Sequence, residues 1–375
     1  MDHPLQHLTT VIRNRLPVWI GGLGGSAAAA TETGWPLADA LQCNSELGRS
    51  FALDPLPVGD ERFVARAGDL EALGTSIERW QRGHPVMVAV TGPQGCGITS
   101  FLNQVPSLLD ANTVCHSEPL GERLRSSADV LAMMARLFNL QTVADSVAAL
   151  IDELNAAAPR VLLLDNAHFL VFRVMGARDA ARTLGAVMVA TQRRHLWIMG
   201  CRRQAWRRMM YLHQVERFFT DVLELEYFST EQLGDVIAAR QAATPTEEVP
   251  DNKLQRLQQL CRGKPGLGFL YLQCGEASES GDIRPLDLSV FKQLEMDDLF
   301  TLAELAVHGS LHLEEYCQIF RLSIENSQLR LQHLCNQGLV ERLDPDGSNP
   351  AVRYRVTPVL SGLVSDHLYK SNYLY

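Results

Sequence analysis

Short apolar runs alternate with amphipathic stretches through the first part of the chain. Each apolar run has the length of a buried strand. The runs lie at 86–90, 113–115, 161–164 and 196–200. Around them, apolar residues recur at helical spacing. These helical stretches lie at 70–80, 128–137, 143–154 and 180–192. Strands that alternate with helices of this length predict an α/β fold, in which helices cover both faces of a parallel sheet.

The rest of the chain is predicted to be mostly helical. Helices are expected at 229–240, 253–261, 264–277, 300–308, 313–320 and 324–335, followed by strands at 338–343 and 352–356. Ser229 and Gln232 have the spacing of a capping box at the start of the first of these helices. A chain of 375 residues is long for one core. We predict four parts: an N-terminal arm or linker at 1–58, an α/β core at 59–226, a small helical domain at 227–284 and a domain of three helices and a hairpin at 285–375.

The most informative motif follows the first predicted strand. It matches the phosphate-binding spacing G-x-x-x-x-G-K-[ST] except at the lysine position, where Ile98 stands. Glycines let backbone N–H groups approach a phosphate closely, whereas the lysine would reach the β- and γ-phosphates. The candidate nucleotide-binding residues are Gly92, Pro93, Gln94, Gly95, Cys96, Gly97, Ile98, Thr99 and Ser100. The sequence therefore keeps the cradle and lacks one of its cations.

A second motif ends the apolar run at 161–164, where Asp165 is followed by Asn166, Ala167 and His168. A phosphate-binding loop followed by a D-E-A-H-like ending resembles the AAA+ and STAND classes of P-loop NTPases, and the origin-recognition and transposition-helper branches in style. The resemblance implies that Thr99 and Asp165 hold Mg²⁺. It also implies that the next position holds the glutamate that activates water. Asn166 stands there, and a carboxamide orients a water but cannot accept its proton.

The resemblance extends to the last two parts of the chain. The region 227–284 resembles the helical lid of AAA+ proteins, in which an arginine before the last helix commonly reaches the γ-phosphate. Lys264, Gly266 and Leu267 stand in that neighbourhood, which implies that this arginine is absent. The region 285–375 resembles a winged helix. The expected fold is therefore a P-loop NTPase core with a small helical lid and a C-terminal winged-helix domain.

Arginines are concentrated around the predicted strand at 196–200. They are Arg193, Arg194, Arg202, Arg203, Arg207 and Arg208, with Trp206 among them. By resemblance, Arg202 is a candidate phosphate sensor and Arg217 a candidate for the arginine that reaches into a neighbouring subunit's site. The cluster also suits contact with phosphate or nucleic acid, and a solvated or acid-paired face explains it equally well.

The expected sizes of the two losses, the lysine at position 98 and the glutamate at position 166, indicate what they do to binding and hydrolysis. Loss of a charged hydrogen bond costs roughly 1.5–3 kcal/mol of binding free energy. Loss of a general base costs on the order of 10²–10⁴ in rate. We therefore predict a degenerate AAA+/STAND-like protein with a regulatory or scaffolding role. ATP or ADP with Mg²⁺ would bind weakly or not at all, and hydrolysis would be impaired. Two alternatives stay open: a DNA-associated AAA+ ATPase that resembles transposition helpers or initiators, and an active NTPase that uses another cation.

Charge favours protein partners over nucleic acid. The chain has a net charge of −9, and the region 285–375 has seven basic against twelve acidic residues, a net charge of −5. Its predicted recognition helix offers Arg330 and His333, opposed by Glu325. A DNA-reading domain normally carries a basic surface. We expect a protein partner, including a homo- or hetero-oligomer of AAA+ proteins, and give nucleic acid second place.

The cysteines and the N-terminal segment indicate a cytoplasmic protein. Eight cysteines without a C-x-x-C pair argue against a zinc ribbon or a disulfide framework. The apolar stretch at 16–30 is broken by proline and glycine, so no membrane span or signal peptide is expected there. A helix is predicted at 5–16 and a glycine-rich connection at 21–26. The segment fits either an arm that lies on the core or a docking segment for a partner.

Overall fold

The computed structural model describes residues 34–46, 53–174, 178–241, 249–276, 282–345 and 351–374. The part of the chain from Gly34 onward forms one compact unit. The helix predicted at 5–16 and the glycine-rich connection at 21–26 lie outside the described residues. No helix in the described ranges combines the length and the apolarity that a bilayer crossing requires.

A five-stranded parallel sheet forms the centre of this unit. Its strands are β1 (Met87–Gly92), β2 (Val114–Pro119), β3 (Arg160–Asp165), β4 (Leu196–Arg202) and β5 (Asp221–Glu224), in the order β2-β3-β4-β1-β5. All neighbouring pairs are parallel. Every residue of β1 is buried, as expected for a central strand covered on both faces. The predicted α/β fold is therefore confirmed. The carboxyl ends of β1, β3 and β4 meet at one edge, which is the usual ligand-binding edge of such sheets.

Helices cover both faces of the sheet. They are α1 (Leu37–Glu46), α2 (Ala67–Gln81), α3 (Ile98–Asn103), α4 (Ser127–Phe138), α5 (Val147–Ala156), α6 (Asp179–Thr191) and α7 (Arg203–His213). Side chains of α2 and α3 share one hydrophobic cluster with Val88 and Val90 of β1. Side chains of α4 to α7 share the other with Met87 and Ala89. Successive residues of β1 thus point to opposite faces, as strand geometry requires.

One prediction in this region needs correction. The helix expected from 143 begins only at Val147, because Ser146 caps it by accepting a hydrogen bond from the backbone N–H of Ala149 at 3.1 Å. Helix α1 falls in the segment predicted as an arm or linker, and its packing on the body is compatible with an arm that lies on the core. Leu37 and Ala40 of α1 are buried in the core, and the backbone N–H of Trp35 donates to the Pro285 carbonyl at 2.8 Å.

The helical region contains α8 (Thr230–Gln241), α9 (Asp251–Cys261) and α10 (Pro265–Glu276). The predicted capping box is confirmed. The backbone N–H of Gln232 donates to Ser229 Oγ at 3.2 Å, and the backbone N–H of Ser229 donates to Gln232 Oε1 at 3.0 Å. Helix α1 packs on α10, so residues near the start of the described chain cover one side of the helical region.

The tail consists of α11 (Met296–His308), β6 (Leu311–His312), α12 (Leu313–Phe320), α13 (Ile324–Asn336), β7 (Val340–Leu343), β8 (Arg353–Val356) and α14 (Ser361–Lys370). The strands form an antiparallel sheet in the order β6-β8-β7. The predicted three helices and hairpin are thus present, together with β6 and α14, which the sequence pattern did not indicate. The tail packs against the core through α11 and α7. The proposed boundaries between the four parts stay a prediction.

Candidate nucleotide-binding site

The loop between β1 and α3 has the backbone geometry that the predicted cradle requires. Gly95 and Gly97 have φ angles of +83° and +96°, in the left-handed region that side chains disfavour. Gly92 is needed for a different reason. A Cβ at Gly92 would lie 2.5 Å from Cys96 Sγ and 2.7 Å from the Leu225 carbonyl oxygen. Burial raises the pKa of the Cys96 thiol to about 12, so this thiol is neutral and unreactive.

The loop forms one wall of a cavity of about 380 Å³. All the candidate loop residues from Pro93 to Ser100 line it, together with Asp165, Asn166 and Arg202. The volume falls within the range of about 300–1,000 Å³ that small-molecule sites occupy. The structure therefore brings most of the predicted site residues to one place, at the carboxyl ends of β1, β3 and β4.

Ile98 behaves as a core residue inside this cavity. Its side chain packs against the hydrophobic cluster under the loop. A Cβ at Gly200 would lie 3.0 Å from Ile98 Cγ2 and 2.8 Å from Asp165 Oδ1, so Gly200 leaves the room that both side chains occupy. The position that the motif reserves for a lysine thus holds an aliphatic group, half-buried and without charge.

Asp165 is buried at the end of β3 and accepts two hydrogen bonds. Thr99 Oγ1 donates to Asp165 Oδ2 at 2.6 Å, and the backbone N–H of Asn166 donates to Oδ1 at 2.7 Å. Burial raises the pKa of Asp165, although these bonds and the charge of Arg202 oppose the shift. Thr99 and Asp165 therefore present two adjacent oxygen atoms, which are hard ligands of the kind that Mg²⁺ prefers.

Asn166 takes part in a turn at the end of β3. Its φ angle is 58°, a left-handed conformation that asparagine adopts more easily than most residues. A short 3₁₀ turn, Ala167–Leu170, follows it and contains the buried His168. In the described part of the chain no group of three His, Cys, Asp or Glu side chains has metal-binding geometry. Any Mg²⁺ would therefore depend on Thr99, Asp165, the nucleotide and water.

Gln94 connects the loop to two neighbouring elements. Arg202 Nη1 donates to Gln94 Oε1 at 3.0 Å, and the Tyr227 hydroxyl donates to the Gln94 carbonyl at 3.2 Å. Burial lowers the pKa of Arg202 to about 10, with a further contribution from the charge of Arg355. Arg202 is thus protonated at neutral pH and lies beside the loop, as the resemblance implies. Arg217 is exposed at the end of a 3₁₀ turn and lines no part of this cavity.

Lys264 lies at the cavity but turns toward the tail. Its Nζ lies 2.7 Å from Asp366 Oδ2 of α14, and its side chain is 8% exposed. The same ammonium group lies 5.1 Å from the centre of the Tyr227 ring. Gly266 and Leu267 line the cavity beside it. Arg262 also belongs to this turn, but its Nη1 lies 3.7 Å from Asp366 Oδ2 and the residue does not line the cavity. Both basic residues of the turn thus contact the tail.

Arg66, which was not predicted as a site residue, holds the loop in place. Arg66 Nη2 donates to the carbonyl oxygens of Cys96 at 2.9 Å and Glu226 at 2.7 Å, and its guanidinium stacks 4.3 Å above the Phe228 ring. Residues 53–56 also form part of the cavity wall. Ser100 Oγ accepts a hydrogen bond from the backbone N–H of Leu56 at 3.0 Å. These partners lie far apart in the sequence, so no local pattern could indicate them.

Most of the clustered arginines are engaged within the chain. Arg194 donates to the Ala157 carbonyl, Arg202 to Gln94, Arg203 to Glu224 and Glu226, and Arg208 to Glu304. Arg193 and Arg207 are exposed. Arg330 of α13 lies 2.6 Å from Asp297. Two of the six arginines, Arg203 and Arg208, therefore pair with acids, two have neutral acceptors and two are exposed. All eight cysteines are free thiols.

Comparison with known proteins gives one family match. Residues 81–209 match the family described as the AAA domain. The comparison with curated proteins finds no match. The chain is similar to the ORC2 protein of Aeropyrum pernix in its ADPNP–ADP complexes, with a TM-score of 0.48, 15% identity, and coverage of 86% of this chain and 98% of that one.

Two further solved structures are similar. For the Walker-type ATPase of Pyrococcus abyssi, the TM-score is 0.46 and the identity 13%, over 84% of this chain and 100% of that one. For the RuvB Holliday junction branch migration motor of Thermotoga maritima, the TM-score is 0.43 and the identity 16%, over 84% of this chain and 98% of that one. The strand order, the phosphate-binding loop after β1 and the family match together identify residues 81–209 as an AAA domain of the P-loop NTPase type.

Proposed function

We propose that this protein binds ATP or ADP weakly at residues 92–100, hydrolyses ATP slowly or not at all, and acts as a regulatory or scaffolding component. One observation carries the proposal. The cavity has an intact glycine cradle, yet Ile98 packs as a core residue where turnover needs a cation, and Asn166 stands where turnover needs a base. The losses affect the rate more than the affinity, because a missing base leaves the backbone cradle unchanged.

The remaining residues support nucleotide binding. The loop backbone between Gly95 and Thr99 would hold the phosphates, and Thr99 with Asp165 would hold Mg²⁺. When bound, Mg²⁺ would neutralise part of the phosphate charge. Arg202 adds a positive charge beside the loop, where Gln94 now accepts its hydrogen bond. A phosphate is a stronger acceptor than this neutral amide, so Arg202 would exchange partners on binding.

Calorimetric titration and a steady-state ATPase assay test this proposal directly. ATP and ADP should bind the full chain, with an affinity that Mg²⁺ changes. Turnover should lie at least about 100-fold below the typical 1–10³ s⁻¹ of enzymes. Hydrolysis at several turnovers per second that Asp165→Ala abolishes would reject the proposal. Absence of binding at millimolar nucleotide would reject it as well.

Restoring the missing groups provides a second test. Ile98→Lys should tighten nucleotide binding by about ten- to a hundredfold, the value of one charged hydrogen bond. Turnover should rise only when Asn166→Glu is added. Ile98→Met serves as the control, because it keeps an apolar side chain of similar size. Equal affinities of the lysine and methionine variants would show that the cradle does not hold phosphate in the expected place.

We propose further that the tail is a winged helix that docks a protein. The recognition-helix position is occupied by α13, where Ile324 is 53% exposed and Leu329 is 70% exposed, and Arg330 is paired with Asp297. Exposed apolar groups with few free cations suit contact with a protein surface better than contact with a phosphate backbone.

The alternative of an active, oligomeric NTPase predicts ATP turnover that depends on protein concentration. Loss of this turnover in Arg217→Gln would favour that alternative.

A further inference from the structure

The tail supplies part of the wall of the nucleotide cavity. Arg355 of β8 lines the same cavity as the phosphate-binding loop, as do Ser361 and Gly362 of α14. This proximity depends on close packing of the tail on the helical region. A Cβ at Gly362 would lie 2.6 Å from Lys264 Cε, so the two elements are in direct contact. The nucleotide site is therefore not confined to the AAA domain.

Arg355 is only partly used within the tail. Its Nη2 donates to Glu341 Oε1 at 3.0 Å, in a pair whose side chains are 37% and 36% exposed. Its Nε is buried and has no hydrogen-bond partner among the residues that the structure describes. A half-exposed pair of this kind contributes little to stability, about 0–1 kcal/mol. Arg355 can therefore exchange Glu341 for a more highly charged anion with little loss of stability.

Arg355 lies near Arg202, and the half-exposed Glu341 is the carboxylate with which Arg355 pairs. Both guanidinium groups border the nucleotide cavity and also a second cavity of about 190 Å³ next to Asn166 and His168. The charge of Arg355 lowers the pKa of Arg202, second to the effect of burial, so the two cations repel each other. Among the described residues, the neutral amide of Gln94 accepts the hydrogen bond that the Arg202 side chain donates. An anion between the two guanidinium groups would remove this repulsion.

We propose that Arg355 binds the phosphate chain of the nucleotide, so that the tail supplies the positive charge that Ile98 does not. This inference rests on the proposed function, because it assigns a further ligand to the same site. It makes nucleotide binding and docking of the tail mutually dependent, since Arg355 reaches the cavity only when the tail is in place. The cation thus comes from β8, far from the motif in sequence.

Affinity measurements on the full chain test the inference, with ATP, ADP and adenosine as probes. Arg355→Gln should weaken ATP binding about ten- to a hundredfold and leave adenosine binding unchanged. Arg355→Lys should restore part of the affinity, because it keeps the charge without the guanidinium geometry. Arg342→Gln is the matched control. Arg342 lies on the neighbouring strand β7, is 56% exposed, pairs with Asp344 and does not line the nucleotide cavity.

A second variant separates phosphate binding from a structural role. Glu341→Gln removes the competitor for Arg355, so ATP should bind several-fold more tightly than to the wild type. A purely structural ion pair would instead make Glu341→Gln and Arg355→Gln alike, with similar losses of melting temperature and affinity, and that result would overturn the inference. If the wild type binds ATP and Arg355→Gln binds it equally well, the inference fails and the proposed function stands. If the wild type binds neither ATP nor ADP, the proposed function fails and this inference with it.

Discussion

At the scale of single residues, the loop depends on Arg66 as much as on its glycines. Arg66 joins the loop carbonyl of Cys96 to the carbonyl of Glu226, which follows β5. It is 7% exposed, so its guanidinium is shielded from bulk water. One buried guanidinium therefore fixes the distance between the phosphate cradle and the start of the helical region.

Arg66→Gln should lower the free energy of unfolding by about 2–4 kcal/mol, because the carbonyls of Cys96 and Glu226 lose a charged donor. Nucleotide affinity should fall as well, since the loop loses the hydrogen bond from Arg66 to the Cys96 carbonyl. Chemical denaturation and calorimetric titration measure the two effects. Arg82→Gln is the control, because Arg82 forms an exposed pair with Glu78 and its loss should cost less than about 0.5 kcal/mol. Similar costs for the two variants would contradict the assigned role of Arg66.

The residues of the site divide into those that a motif predicts and those that only the fold reveals. Asp165 and Thr99 were predicted because a glycine loop and an acid at the end of a buried strand are local patterns. Arg66 was not, because its two partners lie 30 and 160 residues away. Arg355 was not, because a hairpin in the tail shares no pattern with the loop. Long-range contacts of this kind leave no periodic signal in a sequence.

At the scale of elements, the apolar pattern predicted buried strands better than surface elements. Strands β1, β3 and β4 coincide with predicted strands, since burial on both faces leaves a continuous signal. Strand β2 overlaps its prediction only at Val114 and Cys115, and β5 was not predicted, because both strands consist of exposed and half-buried residues. Helix α7 was missed because its arginines drew a charge interpretation, although Ala205, Trp206 and Met209 are buried at helical spacing. Helix α14 was missed because Val364 and Leu368 give only a short apolar stripe. Short amphipathic helices are therefore difficult to predict from the apolar pattern of a sequence.

Asp366 of α14 forms ion pairs with the helical region, to Lys264 at 2.7 Å and to Arg262 at the longer distance of 3.7 Å. In a double-mutant cycle, Lys264→Met and Asp366→Asn should show a coupling of about 1 kcal/mol in the free energy of unfolding. The value is moderate because Asp366 is 32% exposed and water screens the pair. The same cycle on the exposed pair Arg82 and Glu78 should give about 0.3–0.5 kcal/mol. Strict additivity at Lys264 and Asp366 would show that the two elements are held by other contacts.

At the scale of the whole molecule, buried charges join the tail to the AAA domain. Glu304 of α11 is 4% exposed and contacts Arg208 of α7 at 2.8 Å, Arg173 at 2.9 Å and His308 at 3.1 Å. Burial alone would raise the pKa of Glu304, but hydrogen bonds from His308 and Arg208 outweigh it and hold the pKa well below its ordinary value. Burial lowers the pKa of His308 despite its contact with Glu304.

Lowering the pH should weaken this contact between the tail and the AAA domain. Unfolded Glu and His side chains take up protons near about pH 4.3 and 6.5. In the folded chain both groups resist protonation, so the free energy of unfolding should fall as the pH is lowered from about 7 to about 4. Glu304→Gln should lower the free energy of unfolding by about 1–3 kcal/mol at neutral pH. The expected loss is smaller than for a fully buried pair because Arg173 is 63% exposed. This difference from the wild type should shrink toward pH 4, as followed by denaturation at several pH values. Glu314→Gln, on the exposed side of α12, should show no such pH-dependent difference.

The distribution of charge over the whole molecule predicts little affinity for DNA. Arg193 and Arg207 are the exposed members of the arginine cluster, while the tail carries a net charge of −5. Two phosphate contacts release few counterions, so the logarithm of any binding constant should change with that of salt concentration by a slope of only about −2. Fluorescence anisotropy with a labelled duplex at low salt should therefore detect binding no tighter than that of the variant with both Arg193→Gln and Arg207→Gln. A salt slope that corresponds to six or more phosphates, lost when Arg202, Arg203, Arg207 and Arg208 are neutralised, would instead favour a DNA-associated ATPase. It would require Arg203 and Arg208 to leave their acidic partners.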